Sequence, residues 1–258
     1  MPELPDVEGF RRVLAGHAGE PITAVRVRDA GVLRGTSARA LNDALRGHRF
    51  GEPWRRGKWL VAPAGGPVLI LRFGMTGSLS WHSPDEPPDR YDRVVWNLTD
   101  GELRFRDMRK LQGVRLADDE EQAARVLGDL GPDALEVSRK DFGGLLAGRR
   151  GRLKSALTDQ SLLAGLGNLL ADEICWRARI SPVRAVPDLD DADVAALYKA
   201  MRWTLRESVK VGRVPPRETW LTGARDEREG ACPRCGTTLS RRRVAGRTTV
   251  WCRKCQPT

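Results

Sequence analysis

Four cysteines near the C-terminus constrain this 258-residue chain more than any other feature. Cys232-x2-Cys235 and Cys252-x2-Cys255 make two tight knuckles, and the stretch between them, Gly236 to Trp251, is long enough for a β-hairpin. Folding that hairpin back brings four thiolates into a tetrahedron, the spacing of a four-cysteine zinc site. Four sulfurs leave no open position for water, so the expected metal is one structural Zn2+ and not a catalytic one. Cys175 stands apart, beside Trp176 in a helical pattern, and reads as a small buried hydrophobe. Disulfide pairing is not expected, in keeping with a reducing cytoplasm.

Upstream of this module the hydrophobic period changes once. From Ile22 to Leu116 apolar residues come in short, often alternating runs punctuated by Gly, Pro and Asp: Ile22–Val27, Trp59–Ala62, Val68–Phe73, Val94–Leu98 and Leu103–Phe105. That is the pattern of an antiparallel β unit. Two helices are set into it, one after Pro5 with Val7, Phe10 and Leu14 on one face, the other after Ser37 with Leu41 and Leu45. Beyond Gly131-Pro132 the period is helical, near Lys140–Ala147, Leu153–Leu157, Leu169–Ala178 and Val194–Val209. The expected fold class is therefore α+β: an N-terminal antiparallel β-sandwich with flanking helices over 1–130, a helical domain over 131–222, and a β-hairpin zinc ribbon over 223–258.

Forty-four basic against 34 acidic residues leave a formal charge of +10, which favours a polyanionic partner. The charge is uneven. Ala231 to Thr258 holds Arg234, Arg241, Arg242, Arg243, Arg247, Arg253 and Lys254 and no acid, the composition of a phosphate-binding module. Asp118–Glu121 and Asp188–Asp193 precede helical patterns, where carboxylates are ordinary. No apolar stretch is long enough to span a bilayer, and no basic-then-apolar leader opens the chain. A monomer free in the cytoplasm, associated with the nucleoid and not with membrane, is the expectation.

At the other end, Met1-Pro2-Glu3-Leu4-Pro5 would expose a secondary amine beside a carboxylate once Met1 is removed. An α-amino group titrates near ~7.7–8, so part of it is unprotonated at neutral pH and can attack an electrophilic carbon to give a Schiff base. Glu3 could move the protons this requires. Read alone, the same residues are also an ordinary helix start, with Pro2 preceding the helix and Glu3 complementing its dipole.

The motifs remove that ambiguity together. Pro2-Glu3-Leu4-Pro5-Asp6-Val7-Glu8, Arg55-Arg56-Gly57-Lys58, Phe73-Gly74-Met75-Thr76-Gly77-Ser78-Leu79, Asp107-Met108-Arg109-Lys110, Gly165-Leu166-Gly167-Asn168-Leu169-Leu170-Ala171-Asp172-Glu173 and the cysteine module occur in this order. The chain thereby resembles bacterial formamidopyrimidine-DNA glycosylases, in the group that also contains endonuclease VIII. The resemblance runs from Met1 to Gln256.

It implies a base-excision-repair enzyme, a bifunctional DNA glycosylase and abasic-site lyase acting on double-stranded DNA with damaged bases or abasic sites. Pro2 carries over as nucleophile, Glu3 as acid/base and Lys58 as electrostatic helper. Met75, Arg109 and Leu111 carry over as wedges that fill the gap left by a flipped base, which must leave the stack for chemistry. By the same resemblance the helical domain is a helix-two-turns-helix element. Its Asn168 and the backbone N–H groups around it are expected to hold a phosphate at a helix start, with Lys154 and Arg247 adding phosphate contacts. Without the resemblance, Met75 reads as core packing, Arg109 as a surface ion pair, Lys58 as a sheet-edge charge and Gly165–Asn168 as a plain turn.

The match has departures. Leu111 stands where phenylalanine is common, Asp6 replaces a glutamate, Arg72 replaces a histidine, and 212–230 is shorter than the segment that caps a flipped 8-oxoguanine. Formamidopyrimidine-type purines are the expected substrates, with 8-oxoguanine excised slowly relative to abasic-site cleavage. Excision of oxidised pyrimidines or of bulky or alkylated bases remains open. A non-catalytic damaged-DNA-binding protein is the alternative from another class, against which intact Pro2, Glu3 and Lys58 count.

Overall fold

The computed structural model describes residues 1–257. They form two compact units, one of Met1–Pro2 and Asp6–Gly128, the other of Glu3–Pro5 and Asp129–Thr258. Helix α1 (Leu4–Ala15) begins in the second unit and continues in the first.

The first unit holds strands β1 (Ala24–Val27), β2 (Trp54–Arg56), β3 (Trp59–Pro63), β4 (Val68–Arg72), β5 (Ser78–His82), β6 (Asp92–Asn97), β7 (Glu102–Arg106) and β8 (Gly113–Ala117). They make two four-stranded sheets in the orders β1-β6-β7-β5 and β2-β3-β4-β8, and every pairing is antiparallel. Leu60, Leu69, Leu71 and Val114 of one sheet and Val94, Trp96, Leu103 and Phe105 of the other share a core with Val7 and Leu14 of α1 and with Leu41 and Leu45 of helix α2 (Ala38–Leu45).

β3 and β4 read as continuous apolar runs for a physical reason. Their second face, with Val61, Val68 and Ile70, is also buried, and helix α3 (Glu120–Leu127) lies against both strands. β2, β5 and β8 were not legible as runs. They carry Arg55, Ser78, Ser80 and Arg115, because one face of each is half-wet.

The second unit packs helices α4 (Arg139–Leu146), α5 (Leu153–Leu157), α6 (Asn168–Ala178), α7 (Asp191–Val211) and α8 (Leu221–Ala224). Helix α6 is buried from Leu170 to Trp176, the carboxylates of Asp172 and Glu173 included, and contacts α5, α7, α8 and the C-terminal strand Arg247–Trp251. Cys175 on it is fully buried, as expected of a small hydrophobe, and burial pushes its thiol up. The Asp188–Asp193 acids serve the start of α7, where Asp190 and Asp193 form a reciprocal capping box. Strands β9 (Ser240–Val244) and β10 (Arg247–Trp251) pair as the C-terminal hairpin, turning through Ala245 and Gly246, both at positive φ.

Among the described residues no helix is long and apolar enough to cross a membrane.

Candidate active site and nucleic-acid interface

Lys58 owes its position to a two-residue hairpin. Arg56 pairs with Trp59 across the β2–β3 ladder, leaving Gly57 and Lys58 as the turn, with Gly57 at φ 57°. The turn brings Lys58 into the wall of a cavity of about 220 Å³ whose other walls include Pro2, Arg72, Met75 and Leu111. Residues from four separate stretches of sequence thus meet at one opening in the first unit.

The wedge residues stand on two loops that are held stiffly. The Asp107 carboxylate and the Thr76 hydroxyl each accept the Arg109 N–H at 3.0 Å, while Lys110 reaches the Asp29 carboxylate at 2.9 Å. That bond is the main cause holding the Asp29 carboxyl below its ordinary value. Lys110 itself sits at φ 52°, a strained conformation for a long side chain, between Arg109 and Leu111. The result is outward display. Met75 and Leu111 are 41% and 49% exposed, unusual for such residues, and the Arg109 guanidinium donates to the Met75 sulfur at 2.9 Å. Met75 is therefore not core, and Arg109 has no carboxylate partner on its guanidinium among the described residues.

Arg72 is half-buried, stacked on Trp59 at 4.7 Å, with Arg115 at 5.0 Å from the same ring. Burial lowers the pKa of both guanidiniums. In place of the histidine expected from the resemblance, the cavity has a permanent cation.

Glu3 is fully buried within the second unit. Its carboxylate accepts the backbone N–H groups of Gly167, Leu169 and Leu170 at 2.8, 2.7 and 3.1 Å, at the positive start of α6. Leu4 adds a hydrogen bond from its N–H to the Gly165 carbonyl. The two glycines are needed here. A Cβ on Gly167 would lie 2.3 Å from the Glu3 carboxyl carbon, and one on Gly165 would lie 2.5 Å from a Leu4 methyl.

Two expectations for phosphate contacts change accordingly. Within the Gly165–Asn168 turn the Gly167 N–H is taken by the Glu3 carboxylate and the Gly165 N–H by the Gln160 side-chain oxygen, and Glu3 also takes the next two N–H groups that α6 offers, those of Leu169 and Leu170. Asn168 opens α6, half-buried, with its side-chain oxygen buried and unpaired. Lys154 is not at the surface. It is 1% exposed, with its ammonium 2.6 Å from Asp172 and donating to the Thr248 carbonyl at 2.8 Å. Asp172 also accepts from Arg225 at 2.9 Å and from the Val250 N–H. Burial lowers the Lys154 pKa, and Asp172 opposes that shift. Lys154 thus ties α5 and α6 to β10. Asp172 had no role in the sequence reading and Arg225 was missed, since nothing local marks a buried charge.

The zinc module gathers the sulfurs of Cys232, Cys235, Cys252 and Cys255 within 4.8 Å of one another. A closed, all-sulfur set fits one structural zinc ion. The Thr237 side chain is the first cause that draws the Cys235 thiol down to about 6, while burial pushes Cys252 up to about 12. Metal uptake displaces thiol protons, so zinc affinity should weaken as the pH is lowered. Arg247 opens β10 at the hairpin tip, exposed.

Three family models match consecutive stretches: the formamidopyrimidine-DNA glycosylase N-terminal domain over 1–114, the corresponding H2TH domain over 130–217, and the zinc finger found in FPG and IleRS over 231–258. The formamidopyrimidine-DNA glycosylase of Desulfitobacterium hafniense is 37% identical over 272 residues, covering 99% of this chain and 100% of the relative. The Bacillus subtilis protein of the same name is 33% identical, with 99% of each covered. The chain belongs to the formamidopyrimidine-DNA glycosylase family. Crystal structures of the Lactococcus lactis member (Fpg, or MutM) bound to abasic-site DNA superpose with TM-scores of 0.87 and 0.88, at 27% identity and complete coverage of both chains.

Within this family frame the zinc finger permits a direct separation of roles. Cys252→Ser should cost bound zinc and DNA affinity together, because the hairpin loses its clamp. Arg247→Ala should keep the zinc, weaken binding, and make the salt dependence shallower by about 0.9 in log–log slope. Metal analysis and titrations across salt concentration check both, and full DNA affinity in zinc-free protein would refute the assignment.

Proposed function

We propose that this family member is a bifunctional DNA glycosylase and abasic-site lyase of base excision repair whose nucleophile is Pro2, freed by removal of Met1. One observation carries the reading: Pro2 and Lys58 share the wall of a single cavity with the exposed Met75 and Leu111 at its rim. The Lactococcus lactis relative has been crystallised with DNA containing Fapy-dG as well as with abasic-site DNA, which supports formamidopyrimidine-type purines as the bases removed.

The chemistry follows from a secondary amine. Its lone pair attacks the sugar carbon C1′ bearing the damaged base, and the base leaves with its bonding electrons and a proton. Opening of the C1′–O4′ bond then gives an iminium, with a proton supplied to O4′. The cationic carbon acidifies the neighbouring C2′ hydrogen. Its loss expels the 3′ phosphate, and a second elimination expels the 5′ phosphate, so the strand is cut on both sides. Glu3, next to the nucleophile in sequence, is assigned the proton transfers at the opening sugar. Lys58 is assigned stabilisation of negative charge at the lesion. Met75, Arg109 and Leu111 would occupy the gap in the duplex, and Asn168 and Arg247 would contact phosphates. Zinc supplies structure at the hairpin and no chemistry at the sugar.

Borohydride reduction during cleavage of an abasic-site duplex should trap a covalent complex, since an iminium is reducible. Peptide mass spectrometry should then find the adduct on Pro2, and protein retaining Met1 should give none. An adduct on Lys58 with Pro2 unmodified would overturn the assignment, and absence of any adduct would favour a non-catalytic binder.

A further inference from the structure

The cations of the zinc module fall into two groups. Arg234 donates to the Trp176 carbonyl at 3.1 Å and lies over its ring, and Arg241 donates to the carbonyls of Arg225 and Glu227. These two fasten the hairpin to the helices. Arg242, Arg243 and Arg253 are exposed, and none of their guanidiniums has a hydrogen bond or ion pair among the described residues. The same is true of Arg152, which precedes α5.

These unpaired groups converge. Two cavities of about 370 Å³ each have Arg242 in their walls: one adds Arg152, Ser155 and Arg243, the other Trp251 and Arg253. Among the described residues no carboxylate lines either cavity. Trp251 is 3% exposed, and its buried indole N–H has no partner among the described residues. Like charges gathered without a counter-ion repel one another, and that cost falls when an anion enters.

We propose that this groove is a second phosphate-binding surface, holding backbone phosphates of duplex DNA beyond those contacted at the Arg247 tip. The inference rests on the DNA-repair reading above. Guanidinium forks match diester oxygens in geometry. Four guanidiniums spread over two adjoining cavities that share Arg242, on the strand whose Val244 pairs with Arg247, suit several phosphates better than a single free ion. Contacts of this kind carry no base information and add affinity to any sequence.

The test compares the parent with Arg152→Gln/Arg242→Gln/Arg243→Gln, with its Arg→Lys counterpart, and with Arg243→Gln alone, on undamaged duplex at several salt concentrations. Zinc content and melting temperature report that each variant is folded. The triple Gln variant should have a log K against log salt slope shallower by about 2–3, and the single variant by about 0.9. The Lys variant should recover most of the slope, because a point charge also neutralises a phosphate. An unchanged slope in a folded, binding-competent Gln variant overturns the groove while leaving the enzyme reading intact. Millimolar inorganic phosphate binding to the parent and not to the Gln variant, without any slope change, identifies a free-anion site and overturns it as well. Absence of salt-dependent DNA binding in the parent defeats the DNA reading itself.

Discussion

Gly167→Ala should slow strand cleavage at an abasic site by about 10²-fold or more, the scale of a displaced acid/base group. The added methyl would stand 2.3 Å from the Glu3 carboxyl carbon and 2.5 Å from one of its oxygens, closer than non-bonded atoms approach. Glu3 must therefore leave the N–H groups of Gly167, Leu169 and Leu170. Because Pro2 precedes Glu3 directly, losing this anchor also frees the segment that carries the nucleophile. Glu3→Gln offers the complementary change: it keeps the shape and removes the charge, so it should slow proton transfer while the backbone stays anchored. Single-turnover rates on abasic DNA, read beside zinc content and duplex affinity, separate the cases. An alanine variant that cleaves within a few-fold of the parent would show that the glycine cradle does not position the site.

Asp172→Asn should destabilise the second unit by about 3–5 kcal/mol, the range for removing one partner of a buried ion cluster. For a protein of this size that corresponds to a fall in melting temperature on the order of 10 °C. Asp172 is fully buried and faces both Lys154 and Arg225, so its loss leaves buried Lys154 without its anion and Arg225 with only the exposed Asp226 carboxylate. Lys154 can respond by shedding its proton. Arg225 cannot. Adding Lys154→Met to Asp172→Asn should recover part of the loss, because one orphaned cation goes with it. The variant should also bind DNA less tightly at normal zinc content, since Asp172 accepts the Val250 N–H and its partners hold the Thr248 carbonyl, both on the strand that begins at Arg247. A melting temperature within a degree or two of the parent would show that the cluster is dispensable.

Much of the fold was legible locally. The change of hydrophobic period after Gly131-Pro132 separates strands from helices because side-chain direction repeats every two residues in one and every 3.6 in the other. Leu41 and Leu45, or Leu197, Met201 and Leu205, are buried where that repeat puts them. Strands β2, β5 and β8 escaped notice because Arg55, Ser80 and Arg115 interrupt their apolar residues. The pairing that buries their neighbours comes from distant strands.

The site divides along the same line. The sequence alone determined the zinc ligands, since two Cys-x2-Cys knuckles can meet through one hairpin, and it determined that removal of Met1 would set an amine beside a carboxylate, since Pro2 and Glu3 are covalent neighbours. Only the tertiary structure decided what those groups face. It gathered Lys58, Arg72, Met75 and Leu111 around Pro2, put Glu3 at the start of α6 in place of an external anion, and took Lys154 inside against Asp172. The physical reason is that a charge finds its partner through space. Lys154 and Asp172 lie on different helices, and Glu3 and Gly167 lie at opposite ends of more than half the chain. Such pairings follow from how the helices pack, and no local pattern in the chain encodes them.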